Sequence, residues 1–177
     1  MTEFAPTRSS NACGLWSRIL MTVGGVAMLV GALDPMEGSV VILPGSGLVA
    51  LGTLLSPSER RWITYRVLVF ILIAIGVGTL WGLSSAGGLG GDSGRSIWWG
   101  VLILPYPIGW SMGIWGPGSS RWMLWLGIAV GLWYLSLLTL ALTVGRHVAA
   151  NMFIAAVGLL TIGGCIYRLR QRIAVRP

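Results

Sequence analysis

Residues 62–83 read WITYRVLVFILIAIGVGTLWGL, and this run decides the fold. It is close to the roughly 20 apolar residues that a helix needs to cross a hydrocarbon core of about 30 Å. Further apolar stretches flank it at 16–33, 35–55, 97–115, 122–144 and 148–167. In lipid only helices and closed barrels satisfy their own backbone, and unbroken runs of this length lack the alternation of barrel strands. The expected fold is all-α, a polytopic transmembrane helical bundle of about six spans. Its expected parts are a cytoplasmic N-terminal tail over 1–15, a transmembrane domain over 16–167 and a basic cytoplasmic tail over 168–177.

Composition agrees. With 55% hydrophobic and 10% charged residues in 177, too little polar surface remains for a soluble fold of this size. The net charge of +7 rests on arginine alone, and its distribution has a topological explanation rather than a nucleic-acid one. With the N-terminus cytoplasmic, ten arginines fall inside: Arg8, Arg18, Arg60, Arg61, Arg66, Arg121, Arg168, Arg170, Arg172 and Arg176. Only Arg95 and Arg146 fall outside. That bias predicts six spans with both termini cytoplasmic. The acids Asp34, Glu37 and Asp92 are outer, Glu3 and Glu59 inner.

Tryptophan fits the same map. Trp16, Trp62, Trp115 and Trp122 are expected at the inner headgroup level, and Trp81, Trp98 and Trp99 at the outer one. No signal peptide is expected, because the segment before residue 16 is polar. Cys13 and Cys165 fall on the reducing side and form no metal framework. His147 is the only histidine, which excludes haem held by histidine pairs. No catalytic, metal or cofactor signature is present, so no cofactor is expected.

Two spans share a phrase. Val41-Ile42-Leu43-Pro44 precedes a glycine-rich run, and so does Leu102-Ile103-Leu104-Pro105; a Pro/Ser/Arg/Trp turn follows each. Spans 2–3 and 4–5 are therefore read as a possible parallel two-helix repeat. Pro44 and Pro105 are expected inside their helices, where each frees the carbonyl four residues earlier, that of Val40 or Val101. Ser46 softens the first kink and Pro107 adds to the second. Such broken helices hold ligands in transporters, and they also occur as plain packing kinks.

Asp34-Pro35-Met36-Glu37 reads as a helix start, with Asp34 capping, Pro35 at the first position and Glu37 completing a capping box. The functional alternative is an outer-face polar site, in which Asp34 and Glu37 take a cation with Asp92 and Arg95 nearby. The glycine-rich loop 84–96 reads as a linker or a flexible gate. Ala74, Gly78 and Gly82, spaced by four, and Gly127 and Gly131 are expected at close helix contacts, within the chain or in a homo-oligomer. The arginines of 168–176 are expected to bind anionic lipid.

The phrases Leu33-Asp34-Pro35-Met36-Glu37-Gly38-Ser39 and Gly94-Arg95-Ser96-Ile97-Trp98-Trp99-Gly100, with Leu104-Pro105-Tyr106-Pro107, resemble ones in uncharacterised small bacterial integral membrane proteins. The resemblance implies a bacterial inner-membrane location and no activity. Two functions are expected on the residues: a non-enzymatic accessory or scaffold subunit acting through helix association, or a small transporter or channel built on the kinked spans. The middle of the membrane carries almost no ionisable residue, which favours the first.

Overall fold

The computed structural model describes residues 8–34, 37–88, 96–116, 120–143 and 148–174. Among them the chain is all-helical, with six α-helices, one 3₁₀ helix and no strand. The α-helices are α1 (Arg8–Gly31), α2 (Ser39–Leu55), α3 (Arg60–Ser85), α4 (Pro105–Trp115), α5 (Arg121–Thr143) and α6 (Val148–Ala174); the 3₁₀ helix, Ile97–Ile103, precedes α4. Three stretches are long and apolar enough to cross a membrane: Ala12–Gly31, Arg60–Ser85 and Arg121–Leu140. Helix α2 is apolar but shorter. At both ends helix extends past the expected span bounds, since α1 begins at Arg8 and α6 runs on to Ala174.

Local chemistry sets the helix ends. Helix α2 stops where Ser56 turns extended ahead of Pro57, because a residue before proline is driven out of the α region. Helix α3 stops in a Schellman turn. The Gly88 N–H donates to the Leu83 carbonyl at 2.8 Å and the Gly87 N–H to the Ser84 carbonyl at 3.2 Å. Gly87 and Gly88 have φ of +93° and +80°, which glycine reaches without steric cost. The start of the glycine-rich loop is thus a helix stop.

The expected fourth span is not one helix. Pro105 stands at the first position of α4 rather than inside a continuous helix, where its missing N–H costs nothing and its fixed φ suits the start. The Val101 carbonyl, expected to be freed, accepts from the Leu104 N–H at 3.1 Å as the 3₁₀ helix closes. Pro44, by contrast, does lie inside α2.

Glycine controls the packing. Ser17, Gly24 and Gly31 recur every seven residues, as do Gly38, Gly45 and Gly52 on the antiparallel neighbour. Seven residues make about two turns, so each trio stacks on one face. A methyl group built on Gly31 would lie 2.7 Å from the Gly38 carbonyl, and one on Gly52 2.9 Å from the Ser17 carbonyl. One on Gly24 would run into the Gly45 carbonyl. The Ser17 hydroxyl donates across the same seam to the Gly52 carbonyl at 2.6 Å. Helices α1 and α2 are the most extensively packed pair, followed by α5 with α6 and α3 with α4.

The shortest α-helix is central. Helix α4 meets α1, α3, α5 and α6, and its Ile114 is fully buried. Its Trp110 indole N–H donates to the Met28 carbonyl of α1 at 2.9 Å. Gly76 of α3 fits against the backbone of Tyr106, and Gly109 against Leu72 and Ile73. Around this core the bundle exposes a wide apolar surface, including Trp125, Leu132, Trp133, Leu159 and Leu160. Exposed apolar area of that extent suits lipid contact.

Candidate functional site

Phenolic and guanidinium donors converge on the C-terminal end of α4. Four carbonyls at the end of any α-helix lack intrahelical partners. Here three side chains from two other helices supply donors. Tyr65 donates through its hydroxyl to the Met112 carbonyl at 2.7 Å. The Arg66 guanidinium donates to the Gly113 carbonyl at 2.9 Å from a buried position. Arg168 of α6 donates through Nε to the Trp115 carbonyl at 3.1 Å, and through Nη1 to the Gln171 side chain at 3.3 Å. Two guanidinium groups at a helix C-terminus also face the negative end of its dipole. Sequence reading takes Arg66 only as a topology marker and Arg168 as part of the lipid-binding basic tail, neither as a partner of α4. The available signal was an arginine within the apolar run 62–83, since a charge inside a span needs a partner.

These contacts gather the basic groups at one end of the bundle. The Ser17 bond to Gly52 ties the start of α1 to the end of α2, and Cys13 Sγ reaches the Leu55 carbonyl there at 3.2 Å. Arg60, Arg61 and Arg66 begin α3, Arg121 begins α5, and Arg168, Arg170 and Arg172 end α6. Arg61 pairs with Glu59 at 3.0 Å, an exposed contact that adds little stability. It also lies 5.3 Å from the centre of the Trp62 ring.

At the opposite end Asp34 closes a local turn. Its carboxylate accepts from the Glu37 N–H at 3.1 Å, and both residues are exposed. Helix α2 itself begins at Ser39, with Gly38 as N-cap and no side-chain cap bond, so Asp34 is not the cap of this helix that the sequence reading expects. Ser39 in turn accepts from the Trp81 indole at 3.2 Å, which joins α2 to α3. Asp92 and Arg95 lie outside the described residues. Among the described residues no three His, Cys, Asp or Glu side chains come together.

The remaining expected residues separate. Pro44 is exposed on α2. Ser46 is buried and donates to the Leu43 carbonyl of its own helix at 2.8 Å. Pro105 and Pro107 are half-buried in the first turn of α4. Gly127 and Gly131 are in close contact: added methyl groups would lie 2.7 Å from Ile114 and 3.0 Å from the Gly158 carbonyl, respectively. Gly78 and Gly82 face open space, and the close intramolecular approach on α3 is made by Gly76, two residues before Gly78. Ala74 is half-buried. The expected four-residue series therefore makes no close contact within the chain at its two glycines, because that face of α3 points out of the bundle.

Comparison of the chain with known protein families, curated proteins and solved structures returned no match.

Proposed function

We propose that the chain is a six-span protein of a bacterial inner membrane, with both termini cytoplasmic, acting as a non-enzymatic accessory or scaffold subunit through helix association. The 3₁₀ helix and α4 together extend about 30 Å at standard rises, enough for a broken fourth span. The paired phrases ending at Pro44 and Pro105 are kept as traces of a two-helix repeat. One observation carries the association reading. Methyl groups built on Gly78 and Gly82 would meet nothing within 4 Å among the described residues, and such open small-residue faces let a second helix approach closely. The transporter reading draws no support from Pro44, which faces outward.

The test is Gly78→Leu combined with Gly82→Leu. The new side chains enter open space, so thermal stability in mild detergent should match or slightly exceed that of the parent. Cross-linked species in native membranes should disappear. Unchanged cross-linking, or a parent that yields none, would end the association reading.

Topology has its own test. In a Cys13→Ser background, Ser84→Cys should react with an impermeant maleimide added from the periplasm, whereas Ser58→Cys should not. Labelling of both from one side would overturn the arrangement.

A further inference from the structure

We infer that the groove between the start of α5 and the end of α6 is a binding site for one anionic phospholipid, with Arg121 and Arg170 sharing its phosphate. The groove has a volume of about 470 Å³ and is open along one side. Arg121 and Arg170 line it together with Trp125, Ile128, Leu169 and Ile173. Ile128 and Leu169 are half-buried against the core and form its deeper part; Trp125 and Ile173 are 63% and 65% exposed and form its walls.

The lining selects the occupant. A soluble anion would leave the apolar trough empty, and a neutral chain would leave two neighbouring cations without a counter-charge. Arg168 is committed to the end of α4. Among the described residues Arg121 and Arg170 make no ion pair or hydrogen bond between side chains. Guanidinium groups match phosphate oxygens in a planar, two-point geometry. An indole beside them belongs at the headgroup level, where its ring meets the upper acyl chain. An anionic phospholipid supplies both halves, an anion at the rim and a chain along the trough. This inference rests on the membrane reading and goes beyond it: the site is a groove shared by two helices, not diffuse attraction to a basic tail.

The experiment uses the full chain in nanodiscs of phosphatidylglycerol and phosphatidylcholine at 1:3, released into the gas phase for native mass spectrometry. The parent should retain one phosphatidylglycerol in preference to phosphatidylcholine. Arg121→Gln with Arg170→Gln should lower that retention at least about tenfold, given the usual contribution of each basic residue at an anionic surface. Arg60→Gln with Arg61→Gln removes the same charge at the same end and should leave retention unchanged. The Arg121→Lys, Arg170→Lys variant keeps the charge but not the two-point geometry and should retain lipid at a level between the parent and the Gln pair; a melting temperature of the Gln pair equal to the parent's shows that its loss is not misfolding. Equal retention by both Gln pairs, or no preference in the parent, overturns the site while leaving the membrane reading intact. Recovery of the parent in the aqueous fraction after a carbonate wash overturns both.

Discussion

Replacing Gly24 with leucine should unfold the α1–α2 hairpin and cost about 3 kcal/mol or more of stability. Even a single methyl group there would strike the Gly45 carbonyl and lie 2.9 Å from Val49 Cγ2. The obstacle is backbone, so no rotamer change relieves it, and the two helices must separate. Separation opens the neighbouring pairs as well, because Gly31 with Gly38 and Ser17 with Gly52 belong to the same seam. It also shifts Met28, whose carbonyl holds Trp110 of α4. Dispersion contacts along the seam are individually small and are lost together. In mild detergent the variant should show a large fall in melting temperature or no folded yield. Gly78→Leu, in open space, should melt with the parent or above it. A Gly24→Leu protein that melts like the parent would mean that α1 and α2 are not this close.

The contrast between Gly24 and Gly78 shows what the chain reveals on reading and what it conceals. A four-residue spacing of small residues is the familiar sign of close membrane contacts, and Ala74, Gly78 and Gly82 carry it. The tightest seam uses a spacing of seven, from Ser17 to Gly31 and from Gly38 to Gly52. That period marks two helices that stay together along their length, and it is legible once sought. The Asp34–Glu37 turn contact is legible because it is local, its acceptor and donor lying three residues apart, although the helix it is read as capping starts later, at Ser39. The stop after Ser85 is local too, since it needs only two glycines in the left-handed region. Pro105 is ambiguous for the opposite reason: a proline in an apolar run can kink a helix or begin one. Its role follows from α4 being packed among four other helices, which no local window contains. The partners of Tyr65 and Arg66 lie 47 residues away, so the sequence presents the donors without their acceptors.

Those donors lead to the second large effect. Arg66→Ala should cost about 3 kcal/mol, from a lost hydrogen bond to a charged group and the volume left empty. Arg66→Met separates the two contributions. It fills most of the space but leaves the Gly113 carbonyl without its donor, and a buried unsatisfied acceptor costs about 1–3 kcal/mol. Against this stands the relief of no longer burying a guanidinium, which can make apolar replacements of buried charges neutral or better. We expect the unsatisfied carbonyl to win by about 1 kcal/mol, because dipole attraction at the α4 terminus is lost with it. Tyr65→Phe should cost about 1 kcal/mol by removing the bond to Met112. The double variant should deviate from additivity, since both donors hold the same turn. Melting curves of the single and double variants in one detergent decide the matter. If Arg66→Met is as stable as the parent and the pair is additive, the arginine does not hold α4 in place. A buried cation kept at no gain in stability is then retained for something it binds, as ionisable groups within membranes commonly are.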